Sequence, residues 1–353
     1  MYVKTKTIIS LFYGEKMINK KIVFTKPNVA ELLTEQVPAV GDKAVLVRLV
    51  NSTISSGTER ANLAGNPYVT WFDTSGIAKF PRITGYSSSG IVEKTGSGVK
   101  SVVPGDRVAL YWSVHAKYNV LPEKNVVKIP EKVGFSDGAL LHISTFPMAA
   151  IRKCRLEAGE SAMVMGQGVL GMIAVKLLRA VGAVPIIAVD PIAEKREQAI
   201  KIGADYAFDP NDKQFAEKVK AVTGGGVKVA IEVTGSGIAL DECLDCVAKL
   251  GRVALLGCTR SSDFTIDYYH KVHGPGISLI GAHTNARPDT DSYPGYWTTR
   301  DDMIAVCKLI EYGRLSLSDM VAEQHSPEEA PAVYDRLLKE KGFPLVQFDW
   351  TKI

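Results

Sequence analysis

The pattern of apolar and polar positions divides the chain near Met148. Before that residue, short runs rich in β-branched and aromatic residues are separated by Gly, Pro, Asp and Ser, as in residues 43–55, 83–96, 106–112 and 116–121. Such runs between turn-forming residues predict strands joined by turns. We therefore predict an antiparallel, barrel-like β domain in the first part of the chain.

After Met148, strand and helix patterns alternate. Apolar strands such as SAMVMG and PIIAVD are followed by helical patterns such as VLGMIAVKLLRAVGA, and a further helix is predicted over residues 239–251. Near-continuous apolar strands are typical of a parallel sheet whose two faces are covered by helices. Two more helices are predicted in residues 300–313 and 326–340, and the closing FPLVQFDW is predicted to be a strand that returns to the first domain.

These patterns predict an α/β protein of two domains, which also suits a chain of 353 residues. The first domain is expected to comprise residues 17–147 and 286–353, and the second is expected to comprise residues 148–285. Residues 1–16 precede a second methionine, Met17, and are predicted to be an N-terminal extension with no part in the fold.

Composition excludes some classes of partner. The net charge is only +4 and no basic block is present, so we expect no nucleic-acid partner. No apolar run approaches the roughly 20 residues of a membrane span, so we expect no membrane partner. The five cysteines lack the spacing of a secreted disulfide framework, which favours reduced thiols and a cytoplasmic location. Cys243 and Cys246 form a C-x-x-C pair, a spacing that also occurs in redox and zinc sites. No second pair is present and both residues lie in a helical pattern, so we attribute them to helix packing.

A glycine motif, G-x-G-x-x-G, lies between a predicted strand of the second domain and the helix that follows it. In that setting the motif predicts a dinucleotide site. Gly166 would allow a tight turn, Gly168 would let the backbone approach a pyrophosphate, and Gly171 would let helix and strand pack closely. Val169 and Leu170 complete the motif and belong to the predicted site.

Asp190 ends the next predicted strand. A carboxylate there would accept hydrogen bonds from the adenosine ribose hydroxyls and would repel a 2′-phosphate, so we predict NAD rather than NADP as the cofactor. Lys195, which we include in the predicted cofactor site, and Arg196 weaken this prediction, because either side chain could reach a phosphate.

Together these features resemble the medium-chain dehydrogenase/reductase (alcohol dehydrogenase-like) superfamily. The resemblance covers almost the whole chain from Met17. It rests on ISSGTE, TGYSSSGIVEKTGSGVKSVVPGDRV, HAKYNVLPEKNVVKIPE, VMGQGVLG and LGRVALLG. It implies a GroES-like antiparallel β-barrel-type catalytic domain joined to a Rossmann domain with a doubly wound parallel sheet. It also implies an NAD(P)-dependent oxidoreductase with a small-molecule substrate.

The positions that hold zinc in related enzymes carry other residues here. The Cys ligand is replaced by Ser56, a Gly-His-Glu motif is replaced at Tyr86 and Ser87, and a third ligand position falls on Leu141, with His142 beside it. Hydroxyl groups are poor Zn²⁺ ligands compared with thiolate and imidazole. The four-cysteine segment for a structural zinc is also absent from the sequence. The chain therefore resembles a zinc-free branch, and we predict neither a catalytic nor a structural zinc.

Without zinc, hydrogen bonds from the protein must stabilise the charge on the substrate oxygen during hydride transfer. The resemblance implies candidate catalytic residues Thr58, Glu59, Tyr86 and His142, and candidate substrate-pocket residues Ser56, Ser87, Tyr111 and Trp112. Further cofactor contacts are expected from Thr145, Thr234, Gly257 and His283. A phenol titrates near ~10 and needs a cationic neighbour to act as a base, whereas imidazole titrates closer to neutral pH. A structural role remains equally open for the polar pocket candidates.

Three functions are open at this point. The first is a zinc-independent, NAD-dependent dehydrogenase of a secondary alcohol, such as a sugar, cyclitol or other polyol. The second is a zinc-free quinone or enone reductase that uses NADPH, against which Asp190 argues. The third is a non-catalytic nucleotide-binding protein, because fold alone does not determine function.

The last predicted strand of the second domain, ISLIGAH, is expected to lie at a sheet edge. In the family it pairs with its copy across a two-fold axis. It carries Ile277, Leu279 and Ile280 with no charge between Gly276 and Gly281, so nothing in it discourages pairing with another strand. We therefore predict a homodimer, with a homotetramer as the alternative.

Overall fold

The computed structural model describes residues 17–69, 75–260, 262 and 264–353. The predicted N-terminal extension, residues 1–16, lies outside the described residues. The strands are β1 (Ile18–Lys26), β2 (Val29–Gln36), β3 (Ala44–Thr53), β4 (Ser87–Thr95), β5 (Arg107–Tyr111), β6 (Tyr118–Pro122), β7 (Val126–Lys128), β8 (Ala162–Met165), β9 (Ile186–Val189), β10 (Tyr206–Phe208), β11 (Val227–Glu232), β12 (Val247–Leu255), β13 (Ser278–Gly281), β14 (Glu323–His325) and β15 (Val346–Asp349). The helices are α1 (Ser56–Leu63), α2 (Phe135–Gly138), α3 (Leu141–Lys153), α4 (Val169–Ala180), α5 (Ala193–Lys201), α6 (Phe215–Thr223), α7 (Gly237–Asp245), α8 (Thr299–Glu311) and α9 (Ala330–Lys339).

The first domain is built on a mainly antiparallel sheet. Its strand order is β14-β15-β3-β4-β5-β7, with β6 also paired to β3, and β1 and β2 form a separate hairpin. The closing strand β15 pairs antiparallel with β3, which places Gln347 opposite Thr53. This confirms the prediction that the end of the chain returns to the first domain.

The second domain contains a parallel sheet with strand order β10-β9-β8-β11-β12-β13. Alternate residues of β8 enter two different apolar cores, because successive side chains of a strand point to opposite faces. Val164 packs in the core that contains α4 residues, whereas Met163 packs in the core that contains Phe215 of α6 and Leu240 of α7. The sheet is therefore covered on both faces, as predicted. No helix in the described ranges is long and apolar enough to cross a membrane.

Helix α3 was not predicted from the sequence, and it spans the predicted domain boundary at residue 148. Nearly all of its residues are buried, so it lacks the polar face that marks an amphipathic helix. It also contains Pro147, a residue that usually ends or kinks a helix. The helix packs against β4 of the first domain and against α4 of the second domain, and it thereby joins the two.

The prediction of one helix over residues 239–251 was wrong. Helix α7 ends at Asp245, and Val247 already pairs with Val227 as part of β12. Leu250 has φ of 62°, a left-handed conformation that cannot continue an α-helix. The apolar spacing continues past the end of the helix because the following strand is also buried.

Four strands of the parallel sheet end at the same edge. The loops that follow β8, β9, β11 and β12 contain Gly166, Asp190, Thr234 and Gly257. In sheets of this type, ligands bind in the crevice outside the carboxyl ends of the strands. The predicted nucleotide-binding residues therefore come together at one edge of the sheet.

Candidate active site

The glycine loop after β8 has the geometry that a close turn requires. Gly166 has φ of 99°, and a Cβ atom there would lie 2.8 Å from Cγ2 of Thr234. A Cβ atom on Gly171 would lie 1.9 Å from the carbonyl oxygen of Gly166, so α4 approaches the loop closely only because this residue is glycine. A Cβ atom on Gly168 would meet no protein atom within 4 Å. These positions agree with the separate roles expected of the three glycines.

A cleft of about 510 Å³ lies over this edge of the sheet. It is lined by residues of both domains: Ser55, Ser56, Gly57, Thr58, Arg60, Gly166, Gln167, Gly168, Val169, Leu170, Asp190, Ile192, Lys195, Val233, Thr234, Leu256, Gly257, Cys258, Arg260, Lys341 and Phe343. A volume of this size falls within the roughly 300–1,000 Å³ of pockets that hold small molecules. We refer to it as the nucleotide cleft.

Asp190 is fixed in the wall of the nucleotide cleft. One carboxylate oxygen accepts the backbone N–H of Gln167 at 2.8 Å, and the other accepts the backbone N–H of Ile192 at 2.9 Å. Each oxygen keeps a second lone pair, because a carboxylate oxygen can accept more than one hydrogen bond. The carboxylate can therefore accept ribose hydroxyls without giving up its contacts with the loop.

The two basic residues after Asp190 are placed differently. Lys195 lines the cleft; burial lowers the pKa of its ammonium group, and the charge of Asp190 opposes that shift. Arg196 donates to the carbonyl oxygen of Asp190 at 2.7 Å and forms an ion pair with Asp209 at 3.2 Å. Arg196 is therefore engaged outside the cleft, whereas Lys195 lies in the cleft wall, where the charge of Asp190 acts on it.

Glu232 is a functional candidate that sequence reasoning missed. This buried carboxylate ends β11 and accepts the backbone N–H and the hydroxyl of Thr234 together with the N–H of Gly235. Burial raises the pKa of Glu232. These hydrogen bonds fix the loop at Gly235, which lies very close to Gly257. A Cβ atom on Gly257 would be only 2.1 Å from the backbone nitrogen of Gly235. Glu232 could have been found from the sequence, because it is an acidic residue at the end of an apolar strand. The same pattern identified Asp190.

A second, smaller cavity of about 230 Å³ adjoins the nucleotide cleft. The residues common to both are Thr58, Leu170, Leu256, Cys258 and Arg260. The remaining lining residues are Val69, Tyr86, Trp112, Phe146, His283, Thr284 and Asn285. We refer to this space as the substrate cavity, because it opens from the cleft beside a group of hydroxyl-bearing side chains.

Tyr86 presents a neutral phenol at the wall of the substrate cavity. Its hydroxyl group donates to Oγ of Ser55 at 2.5 Å, and the Thr58 hydroxyl is also within hydrogen-bond distance. Burial raises the pKa of Tyr86 well above its ordinary value, and the nearby charge of Glu59 adds to that shift. The phenol is therefore a proton donor at neutral pH and not a base.

His142 lies directly behind Tyr86 and is fully buried. Its Nδ1 atom is 2.7 Å from the backbone carbonyl oxygen of Tyr86, and a carbonyl oxygen only accepts, so Nδ1 carries the proton. The Nε2 atom has no partner within the described part of the chain. The rings of Tyr86, Trp112 and Phe146 surround the imidazole at centroid distances of 5.4, 4.8 and 5.1 Å. Burial lowers the pKa of His142 to about 3, so this residue holds the Tyr86 backbone as a neutral group.

The depressed pKa of His142 predicts a loss of stability in mild acid. The unfolded chain takes up a proton at this imidazole below about pH 6.5, whereas the folded chain does not until about pH 3. The free energy of unfolding therefore falls as the pH drops, and this residue contributes about 2 kcal/mol of the loss at pH 5.

The measurement is urea unfolding at pH 7.5 and pH 5.0 for the natural chain and for His142→Asn, whose amide can still donate to the Tyr86 carbonyl. We expect the natural chain to lose about 2 kcal/mol more stability than the variant between the two pH values. The other histidines change the free energy of unfolding equally in both chains, so their contribution cancels when the two pH-dependent losses are compared. Equal losses in the two chains would show that His142 is not buried as a neutral group.

Glu59, a candidate catalytic residue, lies behind the site and lines neither cavity. One carboxylate oxygen accepts the N–H of Ser55 at 2.9 Å, and the other accepts the hydroxyl of Tyr334 at 2.5 Å. Nε2 of His115 lies 3.2 Å from the same carboxylate. The structure therefore brings Glu59 to the backbone of Ser55 and not to the substrate, so its direct effect is to position Ser55.

Ser87 and Leu141 also face away from the substrate cavity. The fully buried hydroxyl of Ser87 donates to the carbonyl oxygen of Ala139 at 2.7 Å. Ser87 is the first residue of β4, and its side chain points into the protein, whereas the preceding residue, Tyr86, faces the cavity. Leu141 is part of the apolar core, so the residue against the Tyr86 ring is His142.

Tyr111 and Thr145 line neither cavity. The Tyr111 hydroxyl donates to the carbonyl oxygen of Lys124 at 2.5 Å, and its ring packs on His142. Thr145 is fully buried, and its hydroxyl donates to the His142 carbonyl oxygen at 2.8 Å within α3. One turn of helix away from His142, the side chain in the cavity wall is Phe146.

Ser56, a candidate for the substrate pocket, lines only the nucleotide cleft, whereas Thr58 lines both cavities. Trp112 and His283 line the substrate cavity. Trp112 is 44% exposed and adopts a left-handed φ of 57°, and its indole meets the His142 ring edge-to-face.

Two family models match the chain in consecutive order. The alcohol dehydrogenase GroES-like domain matches residues 41–150, and the zinc-binding dehydrogenase domain matches residues 169–298. These segments contain the β-rich domain with Tyr86 and the parallel sheet with the glycine loop. The chain belongs to the alcohol dehydrogenase-like superfamily of medium-chain dehydrogenases/reductases. It is accordingly an NAD(P)-dependent oxidoreductase of the alcohol dehydrogenase type.

Curated relatives of this dehydrogenase match over most of their length. L-threonine 3-dehydrogenase of Pyrococcus horikoshii is 27% identical over 343 residues, which cover 88% of this chain and 92% of the relative. D-guloside 3-dehydrogenase of Escherichia coli is 25% identical over 320 residues, which cover 86% and 91%. The crystal structure of an Escherichia coli oxidoreductase/dehydrogenase of unknown specificity has a TM-score of 0.82 at 16% identity and covers 94% of this chain and 99% of that chain. The structural likeness shows the shared fold.

A zinc ion does not fit the donor atoms around Tyr86 in this dehydrogenase. Protein zinc sites use thiolate, imidazole and carboxylate ligands, usually three or four of them. The groups closest to the phenol are the hydroxyls of Ser55 and Thr58, and His142 behind it is buried with its Nδ1 engaged. The wall of the same cavity also holds the Cys258 thiol and the His283 imidazole, but among the described residues no third ligand joins them. Across the described ranges, no group of three or more His, Cys, Asp or Glu side chains is placed to hold a metal ion.

Proposed function

We propose that this protein is a zinc-independent, NAD(H)-dependent oxidoreductase. It transfers hydride between the nicotinamide and a secondary alcohol or ketone, with a sugar or other polyol as the substrate. The observation that carries this proposal is the position of the Tyr86 phenol, which lies in the wall of the small cavity beside the nucleotide cleft, with the hydroxyls of Ser55 and Thr58 as its closest polar neighbours.

The protein side of the reaction is the handling of one proton. Bound nicotinamide supplies or accepts the hydride at the substrate carbon. When a ketone is reduced, the Tyr86 hydroxyl donates its proton to the oxygen that gains negative charge. The Ser55 hydroxyl, 2.5 Å away and in the wall of the nucleotide cleft, passes its proton to Tyr86 as it takes one up from solvent water. Alcohol oxidation is the reverse of these steps. The raised pKa of Tyr86 keeps the phenol protonated at neutral pH, which is the form that donates in ketone reduction.

The relatives support an alcohol substrate. By name, they act on L-threonine and on a D-guloside, both of which carry secondary hydroxyl groups. The cavity of about 230 Å³ is smaller than most drug-sized pockets, which supports a substrate no larger than a simple sugar derivative.

The proposal is tested by a panel of polyols, hydroxy acids and activated enones, each assayed with NAD(H) and with NADP(H) on protein whose metal content has been measured. Turnover of a secondary alcohol with NAD at well under one zinc per chain supports it. Enone reduction with NADPH alone would replace it with the reductase function, and nucleotide binding without any turnover would indicate a non-catalytic protein. A full equivalent of zinc that survives dialysis would overturn the zinc-free mechanism.

Cofactor choice gives a separate prediction at Asp190. Its fixed carboxylate repels a 2′-phosphate, so we expect NADH to bind at least about tenfold more tightly than NADPH. Asp190→Asn removes the charge but keeps the shape, and NADPH affinity is expected to rise while NADH affinity falls. Asp212→Asn, on an exposed loop away from the cleft, is the control for loss of one negative charge. Tighter binding of NADPH by the unmodified chain would contradict the choice of NAD.

We also propose that the protein is a homodimer formed through β13. This strand is at the edge of the parallel sheet, and Leu279 is 37% exposed on it. Pairing of two β13 strands would satisfy their free backbone groups and cover this edge. Light scattering at micromolar concentration is expected to give about twice the 38.2 kDa of one chain, or four times that mass for a tetramer. A mass of one chain would contradict this assembly.

A further inference from the structure

Within the described part of the chain, the wall of the substrate cavity carries one guanidinium group, that of Arg260, with no acidic partner. Arg260 is half-buried and lines both the nucleotide cleft and the substrate cavity. It makes no hydrogen bond or ion pair with any residue that the structure describes. Among the described residues, the lining of the substrate cavity also contains no acidic side chain. A partly desolvated guanidinium group without a carboxylate is costly, so this one is available to a ligand.

The surroundings of the substrate cavity add to its positive potential. Behind the wall, the buried ammonium group of Lys153 donates to the Gly281 carbonyl oxygen at 2.9 Å. Burial lowers the pKa of His283, which lines the cavity, and the charge of Lys153 lowers it further. In the same way, burial lowers the pKa of His142, and the positive charge of Arg287 lowers it further. Two cations therefore act on this cavity in addition to Arg260.

The nearby acidic groups do not cancel this potential. Asp302 is fully buried and bound to Arg152 at 2.7 Å, with Arg287 at 3.6 Å. Glu59 is buried behind Ser55 and accepts hydrogen bonds from Ser55 and Tyr334. Asp302 is thus paired with arginine side chains, whereas Glu59 is held by uncharged donors and its negative charge still acts on Tyr86. Arg260 and Lys153 together outweigh this one carboxylate, so the net charge around the substrate cavity is positive.

We propose that the substrate is an anion, a small hydroxylated molecule that carries a carboxylate or phosphate group, and that Arg260 binds this group. This inference rests on the proposed function and names the substrate class for it. The planar guanidinium group offers two parallel N–H donors, which match a carboxylate or phosphate in a bidentate pair. Arg260 would hold the charged end while the hydroxyl-bearing carbon lies at Tyr86.

The rest of the cavity suits the uncharged part of such a molecule. Tyr86, Trp112 and Phe146 present aromatic surface, against which the C–H faces of a carbon chain can pack. Thr284 and Asn285 offer polar groups to additional hydroxyls. A polyol acid or a polyol phosphate meets all of these surfaces, whereas a neutral polyol leaves the guanidinium group unpaired.

The experiment compares sorbitol, gluconate and sorbitol 6-phosphate, which share a six-carbon polyol chain and differ in charge. Steady-state rates with NAD and calorimetric binding to the NADH complex are measured for the natural chain and for Arg260→Gln. Arg260→Lys keeps the charge without the planar pair of donors. Lys228→Gln removes one exposed positive charge from β11, at the opposite end of the same sheet, and is the matched control. NADH affinity is measured independently for each variant.

We expect at least one anion to exceed sorbitol in kcat/KM or in affinity by about tenfold or more, and Arg260→Gln to lose roughly 10- to 100-fold for that anion. Sorbitol and NADH binding should change by less than about threefold, and Arg260→Lys should be intermediate. The gluconate and sorbitol 6-phosphate arms show which anionic group is recognised. Anion binding without turnover would leave this inference standing while the proposed function fails.

Three results would overturn the inference. One is sorbitol binding as tightly as both anions, and another is the absence of binding by either anion. The third is loss of NADH affinity in Arg260→Gln with the preference for the anion retained, which would assign Arg260 to the cofactor pyrophosphate.

Discussion

Tyr86→Phe is expected to lower kcat by roughly 10²- to 10⁴-fold, the usual contribution of a positioned acid or base. The substitution keeps the ring that packs on His142 and Phe146 and removes only the hydroxyl group that faces Ser55. NADH affinity should not change, because Tyr86 lines the substrate cavity and not the nucleotide cleft. The measurement is kcat with the substrate found in the panel, together with an NADH titration.

Tyr118→Phe is the matched control. It removes a hydroxyl group from β6 in the same domain, and that hydroxyl has no partner among the described residues. Its kcat is expected to remain within about twofold of the natural chain, as for most surface substitutions. If Tyr86→Phe retained more than a third of the natural kcat, the phenol would not be the acid of this reaction.

Gly168→Val is expected to weaken NADH binding by at least about 100-fold, which corresponds to about 2.7 kcal/mol. Gly168 has φ of −74° and ψ of −167°, values that valine adopts without strain, and its Cβ atom would meet no protein atom within 4 Å. The new side chain would instead occupy the nucleotide cleft at the start of α4, where a pyrophosphate must approach the backbone.

The stability of this variant separates a blocked site from a damaged fold. The unfolding temperature without cofactor should be close to that of the natural chain, while the increase that NADH produces in the natural chain should disappear. Gly41→Val places the same side chain at another glycine with open space around it, outside the nucleotide cleft, and should keep the NADH effect. An unchanged NADH affinity in Gly168→Val would mean that the cofactor lies elsewhere.

The parts of the site that depend on local geometry could be predicted from the sequence. The spacing of Gly166, Gly168 and Gly171 determines a turn and a close helix whatever surrounds them. The position of Asp190 at the end of a buried strand determines which edge of the sheet it reaches. Each of these inferences needs only one strand, one helix and the rule that parallel strands end together.

The direction in which a side chain faces could not be predicted in the same way. Tyr86 and Ser87 are neighbours, and only the packing of β4 against α3 determines that the first lines the cavity and the second bonds to Ala139. Thr58 and Glu59 differ similarly on α1, because a buried His115 and Tyr334 hold the carboxylate away from the cleft. Resemblance identified the right segments, but tertiary contacts select the residue within each.

Helix α3 shows a second reason why part of the structure could not be predicted from the sequence. A helix with apolar surface on all sides has no periodicity to detect, since every face is buried. This helix nevertheless places His142 behind the phenol and Phe146 in the cavity wall. The element that supports the site most directly is therefore the one whose sequence pattern was least informative.

Cys258 differs from the other four cysteines of the chain. Cys154, Cys243, Cys246 and Cys307 are buried, and burial raises the pKa of each of these thiols. Cys258 is exposed and lies in the wall shared by the nucleotide cleft and the substrate cavity. Because the thiolate is the reactive form of cysteine, an alkylating reagent will modify Cys258 before the others.

The reactivity of Cys258 can therefore report whether a ligand occupies the nucleotide cleft or the substrate cavity. A maleimide adduct at this one thiol would stand between the two cavities, and a ligand that fills either of them would shield the sulfur from the reagent. The labelling rate, followed by mass spectrometry, would then rank ligands without any need to observe turnover. A collection of compounds could be screened in this way before the natural substrate is known.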